Sequence, residues 1–527
     1  LHLTPINSNL QNKNQRSNQP SFSNGGAILA ALAKPLQSFD TNPIGGVIFL
    51  DLTSAVAPNT AIDTVKRNPD QGFETFRREF SGLVVNCVLP GIIVPGVAYL
   101  AKKGMLGDAF SNIEAHKIWA NKDNIDEATA TWKKVGHMDS EEEKAREIFK
   151  EFTKKMQPDS QSKLKLDPNS TTDKIKAAED KFVKAYKNAK KGVSLDNKTL
   201  IGIHNDLATV YGQSKSITIK GESKTYTTPL KNYIRDHFAL SKAFADKAVT
   251  PHNIDAFSDN LKKLLKFKSL ATMVGVGALA LSMQSINRSI TEKMTGRKGY
   301  SGYKDLSIDA QPTEEEKQKL LRGKFLSAAW FTGLAFLSMG KFSYEILNFA
   351  APTTTMNQAR TLSLLTDFGR VSAADEKNEL KDTTLRDTVI FMNLYVLGDY
   401  IQKGVVELAQ KMYKKTHGDL NLMNESEKLD KNAPLLKKIG HWVKGKSVKS
   451  FDEIEGTATN LLKDAKTTQL RKNIVTAANL TSIGYSLLAL GIVIPILIAK
   501  MTNNNRKKQI AKVKSSSETE VKPQSKT

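Results

Sequence analysis

Between Arg471-Lys472 and Lys500 lie 27 consecutive residues without a charge, Asn473 to Ala499 (NIVTAANLTSIGYSLLALGIVIPILIA). A helix crossing hydrocarbon needs about 20 such residues, because no backbone N–H or C=O can stay unpaired there. Phe80 to Ala101 supplies 22, interrupted by Pro90-Gly91 and Pro95-Gly96 and closed by Lys102-Lys103, which reads as a kinked or re-entrant span. Ser269–Asn287 and Phe325–Gly340 add shorter runs of 19 and 16 residues. Small residues four apart in these runs (Ala271/Gly275, Ala278/Ser282, Ala329/Gly333) suit close helix packing in lipid. A further apolar stretch, Gly45–Ala61, contains one charge, Asp51. Pro43 and Pro58 leave too little uninterrupted helix to span, so a short interfacial or core segment is expected.

The charge of the 527-residue chain follows these runs. Residues 264–527 hold 40 Lys/Arg against 25 Asp/Glu, whereas 105–263 hold 28 against 23. A net charge of +23 ordinarily suggests nucleic acid. Here the excess lies beside apolar runs rather than on one polar domain, so the expected partner is anionic lipid headgroups rather than nucleic acid. Residues 288–324 carry nine Lys/Arg, and the tail after Ala499 is basic again, placing both on the cytoplasmic side. With spans at 80–101, 269–287, 325–340 and 473–499, both termini are expected in the cytoplasm, with 105–263 and 341–472 outside.

The fold class expected is all-α, with multi-pass membrane helices and an inserted soluble helical domain carrying one small β-hairpin. Residues 1–25 read as disordered, without the charged start and apolar core of a cleavable signal. The chain opens on Leu1 rather than Met, as expected of a fragment or of an alternative start codon read literally. Residues 26–104 are membrane-associated, and 105–263 form the inserted domain. Within it, Ser140 followed by three glutamates ending at Glu143 caps one helix, and Ile175, Ala178, Phe182, Tyr186 and Ala189 mark the next, stopped by Gly192. Thr250-Pro251 opens a third, with Phe257, Leu261, Leu264 and Leu265 on one face. Ile217, Ile219, a Gly221-Glu222 turn and Thr225–Thr227 make the hairpin. Two spans with a basic connection fill 264–340, amphipathic helices 341–472, and a disordered basic tail 500–527. Thr388–Gly398, apolar over 11 residues before Asp399, Lys403 and Glu407, reads as a bundle helix.

Residues 433–446 form the clearest candidate for a helix lying in the membrane interface. Leu435, Leu436, Ile439, Trp442 and Val443 share a face flanked by Lys437, Lys438, Lys444 and Lys446. The same stretch matches a phosphate loop literally through Gly440, Gly445, Lys446 and Ser447, but no strand precedes it, and the amphipathic reading is preferred. Asp367-Phe368-Gly369 imitates a kinase triplet without the companion motifs, and Gly275, Gly277 and Ala280 imitate a dinucleotide fingerprint inside an apolar run. No two of the eight histidines lie three or four apart, and Cys87 sits in an apolar run as a small hydrophobe. No catalytic set, cofactor or metal site is expected. An integral membrane scaffold or assembly protein, with an unidentified protein partner, is the first reading. A transporter or channel component is the second, with Asp51, Asn86 and Asp399 as the polar groups of a path. A soluble helical protein with conditionally inserting helices is the third.

Overall fold

The computed structural model describes residues 36, 43–157, 168–189, 194–211, 216–222, 224–296, 300–303, 314–339, 356–423, 447–451, 454 and 465–520. It is mainly helical with one small antiparallel sheet, and four of its helices are long and apolar enough to cross a membrane.

Helix α1 joins Pro43–Asp51 through a π-helical turn, Leu52–Val56, to Ala57–Lys66. Pro58 was expected to end it and does not. A proline lacks an N–H and its ring crowds the carbonyl four residues back, and a wider turn just upstream gives that ring room. The device recurs. In α2 (Pro69–Leu83, Val84–Val88, Leu89–Leu106) a π turn precedes Pro90, and in α12 (Ala465–Leu488, Ala489–Val493, Ile494–Glu520) one precedes Pro495. Ile44–Lys66 is therefore one of the four long apolar helices, with Pro69–Leu106, Ile254–Thr295 and Thr467–Ala511. The helix carrying the run from Phe325 is not among them.

Between α2 and the third long helix the chain builds a separate unit from α3 (Lys122–Val135), α4 (Glu141–Lys154), α5 (Pro168–Asn188), α6 (Asn197–Tyr211) and α7 (Leu230–Phe244). Ser140 caps α4 by accepting from the Glu143 N–H at 3.3 Å, as its sequence implied. Strands β2 (Ser216–Lys220) and β3 (Thr225–Pro229) form the expected hairpin in register Thr218↔Thr227, and β1 (Met156–Gln157) adds a third strand. The core is aromatic: Phe149, Phe152, Phe182, Tyr186, Tyr233 and Phe238 pack in edge-to-face, tilted and stacked pairs with centroids 5.0–6.2 Å apart. Gly192 lies outside the described residues.

Helix α8 (Ile254–Thr295) belongs to both halves. Phe257, Leu261, Leu264 and Leu265 complete the core of the inserted unit, and Met273, Val276 and Ala280 enter that of the bundle. At the joint Lys268 is buried, donating to the Ile118 carbonyl at 2.9 Å and lying 3.7 Å over Trp119. The bundle is completed by α9 (Glu314–Met339), α10 (Met356–Ala373) and α11, in which Lys377–Met392, a π turn Asn393–Leu397 and Gly398–His417 run on continuously. α10 packs closely on α8, where Gly369 faces the Leu281 carbonyl and a Cβ there would sit 2.3 Å from it. Gly277 meets Leu365, so the Gly-x-Gly stretch serves helix packing. Gly275 and Gly333, by contrast, face open space, and those small-residue pairs seat no helix among the described residues.

The bundle has two distinct ends. At one, the α1–α2 turn, residues 300–303 and the end of α12 meet: Asn68 Nδ2 donates to the Ser301 and Tyr303 carbonyls, Asn503 Nδ2 donates to the Lys66 carbonyl, and Arg506 covers the Tyr303 ring. α12 runs on as a helix through Glu520, where a disordered tail was expected from residue 500. The inserted unit stands at the other end, where α2 leaves the bundle and α8 enters it. Large apolar side chains such as Phe49, Phe76, Ile92, Val274, Trp330, Leu408 and Leu497 are exposed all around the bundle. Among the described residues of 105–263, none is.

Candidate functional site

Inside this apolar-sided bundle runs a column of charge. It begins at the basic end, where Arg67 bridges Asp63 (3.0 Å) and Asp382 (2.6 Å) and donates to the Tyr300 hydroxyl at 2.7 Å. Tyr300 itself donates to Asp382. Arg386, one turn along α11 from Asp382, reaches Asp63 at 3.0 Å, and Thr75 donates to the same carboxylate at 2.7 Å. The helical spacing explains the set: Asp63/Arg67 on α1 and Asp382/Arg386 on α11 are i,i+4 pairs turned to face each other.

Deeper in, Arg370 of α10 holds Asp387 of α11 at 2.7 Å and Glu79 of α2 at 3.1 Å, while Arg78 takes the other oxygen of Glu79 at 2.7 Å. All four are buried. Gly82 lies under this layer, where a Cβ would stand 3.0 Å from Arg370 Nη2.

The column ends in a small cavity of about 50 Å³, lined among others by Asp51, Asn86, Cys87, Thr366, Asp367 and Tyr395. Thr366 donates to Asn86 Oδ1 at 2.9 Å, and Ser363 and Tyr395 share a hydrogen bond of 3.0 Å at its far wall. Asp367 Oδ2 is buried with no hydrogen-bond partner, as is Asp387 Oδ2. Beyond Tyr395, Arg360 lies 5.4 Å over its ring, within the electrostatic reach of Asp399.

Of the three polar groups singled out in the sequence, Asp51 and Asn86 therefore meet in one cavity, and Asp399 stands past its far wall. The arginines and carboxylates of 63–79 and 367–387 were missed. Their i,i+3 and i,i+4 acid–base spacings were the available signal, but such spacing usually marks a solvated helix face. Asp367, set aside as part of a chance triplet, is the most isolated acid of the site. Asp51, read as a lone carboxylate of a short segment, is mid-helix. The amphipathic stretch Leu435, Leu436, Lys437, Lys438, Ile439, Trp442, Val443 and Lys444 lies outside the described residues, as do Gly440, Gly445 and Lys446. Ser447 is described and half-buried. No group of three His, Cys, Asp or Glu side chains arranged to hold a metal ion occurs among the described residues.

In the inserted unit, a second buried pair differs in kind. His237 is packed between Phe152 and Tyr233 with neither ring nitrogen hydrogen-bonded, and burial, with a smaller push from Lys155, lowers its pKa to about 3. Burial raises Asp236 to about 6, against the opposing pull of Arg235 and a hydrogen bond from Asn124. These are core groups of a folded domain, far from the column.

No protein family model matches the chain, and neither a curated protein nor a solved structure resembles it at a significant level.

Proposed function

We propose that the protein is an integral, multi-pass membrane protein that carries a small cation across the bilayer, as a transporter or channel component. The observation that supports it is the column from Arg67 to Tyr395, a buried polar path inside a bundle whose outer surface is apolar. Ionisable side chains are costly in a lipid-facing bundle and, where kept, mark ion pathways and proton relays. In the apolar windows of the four long helices only 33–50% of residues are buried, so their outward faces need hydrocarbon, not water. This also weighs against a soluble form that hides its apolar runs. The prolines add to this. Pro58, Pro90 and Pro495 have no N–H to offer the carbonyls of Ser54, Asn86 and Gly491, although each helix runs on through a π turn.

In this reading the basic end faces the cytoplasm, with residues 288–324 and the tail of α12. The inserted unit then lies on the opposite side. Because α1 is an additional crossing helix, residue 44 lies there too, opposite the far end of α12. A scaffold or assembly role is the second reading, supported by the inserted unit, which has a complete core of its own and a surface of ion pairs such as Arg146 with Glu142 and Glu179. Liposomes reconstituted with the full chain separate the two. Potential-driven uptake of protons or alkali cations above that of empty liposomes is expected, and no uptake of any of them would leave the scaffold. Alkaline carbonate should leave the protein in the membrane pellet.

A further inference from the structure

The column is not neutral. From Asp63 to the cavity it holds six carboxylates (Asp51, Asp63, Glu79, Asp367, Asp382, Asp387) against the guanidiniums of Arg67, Arg78, Arg370 and Arg386. Those arginines are engaged by Asp63, Asp382, Glu79 and Asp387. The surplus falls on Asp51 and Asp367, which line the same cavity: Asp367 Oδ2 is buried without a hydrogen-bond partner, and Asp51 is half-buried with no arginine paired to it among the described ion pairs. Asp367 is only 6% exposed.

Two uncompensated carboxylates in an apolar bundle must be neutralised by something, and the cavity limits what. A space of about 50 Å³ takes one or two waters and no hydrated ion. A bare hard cation would need roughly six oxygens converging at about 2.3–2.6 Å, and no three acidic side chains converge in that way among the described residues. A proton needs a single oxygen and removes the charge where it arises. Glu79 and Asp387, which line the same cavity, favour that outcome further, since their charges resist ionisation of either acid.

We propose that Asp367 and Asp51 are a proton-binding pair, loaded from the basic end along the charged column. Protons pass from water to a carboxylate oxygen of the pair and return to water when it ionises, so that nothing else is consumed. Among the described residues, the other titratable groups facing the pair are Glu79 of α2, Cys87 of its π turn, Arg370 of α10, and Asp387 and Tyr395 of α11, with Arg78 behind Glu79. Glu79, Arg78, Arg370 and Asp387 are tied into one another. The thiol and the phenol are ordinarily neutral near pH 7, which leaves the pair to exchange the proton. Its role in transport rests on the function proposed above, whereas its protonation does not.

Infrared difference spectra of the full chain in liposomes, between about pH 9 and about pH 5, read protonated carboxyl groups directly. Asp367→Asn is expected to remove one component of the carboxyl absorption and Asp51→Asn another, while Asp367→Glu shifts its component and keeps it. Both substitutions are isosteric and remove surplus charge, so melting temperatures should not fall. Asn variants whose spectra superimpose on the wild type would overturn the proposal. So would loss of the carboxyl absorption on adding sodium ions at fixed pH, which would mean that a cation displaces the protons. Proton flux in the same liposomes is scored separately. A titrating pair without flux keeps the pair and removes the transport reading, whereas flux unchanged in the double Asn variant removes the pair's role and keeps transport.

Discussion

At the scale of single residues, the inner ion pairs and the core pair of the inserted unit make opposite demands. Arg386 is nearly inaccessible and bridges Asp63 to Asp382, so Arg386→Met leaves two buried carboxylates to share Arg67 alone and should cost about 3 kcal/mol. A melting temperature in detergent equal to that of the wild type would contradict this. His237 binds its proton in the unfolded chain below its usual 6.5 and in the fold only near 3, so it removes stability as pH falls through that window. Asp236 acts the other way. Its folded pKa of about 6 against 3.8 unfolded means that the fold takes up the proton first, and stability rises as pH falls from 6 towards 4. The two slopes cancel between those values. Asp236→Asn removes one of them and should lose about 2–3 kcal/mol between pH 6 and pH 4, where the wild type stays flat. Parallel pH profiles would show that the pair does not titrate as described. None of this was visible from residue types. His237 and Asp236 are adjacent in an unremarkable amphipathic helix, and only the surrounding Phe152, Tyr233 and Arg235 set their behaviour.

At the scale of elements, helix contacts divide the glycines into two classes that sequence spacing cannot separate. Gly369→Ala forces a Cβ against the Leu281 backbone, which has no side chain to rotate away, and should open α10 from α8 at a cost of about 1–3 kcal/mol. Gly275→Ala and Gly333→Ala meet nothing and should be neutral or slightly stabilising. Comparing detergent melting of the three variants checks both statements, and equal losses would mean the helix contacts are assigned wrongly. The legible elements were those whose signal is local: the Ser140 cap, the Ile217–Thr227 hairpin, and the uncharged runs in α2, α8 and α12. What stayed illegible depended on context. Pro58 reads as a break until a π turn makes room for its ring, and the Ala271/Gly275 spacing is the same whether or not a helix lies against it. Asp63, Arg67, Asp382 and Arg386 read as surface charge because 315 residues separate Arg67 from the Asp382 it binds.

At the scale of the whole molecule, the charge asymmetry along the chain becomes an asymmetry between two ends. Cys87 is buried, so cysteines placed at Lys220, in the inserted unit, and at Lys508, in the last helix, report their own side. An impermeant maleimide added to intact cells should label the first and spare the second, and labelling of both or of neither in sealed cells would refute the orientation. Helix α8 gives this arrangement a mechanical meaning. At 1.5 Å per residue its 42 residues form a rod of about 63 Å. One end is fixed among the aromatic rings of the inserted unit, and Leu281, about two-thirds of the way along, lies against Gly369, two positions from Asp367. Whatever grips the unit from outside holds a handle whose shaft presses on the helix that bears the buried acid.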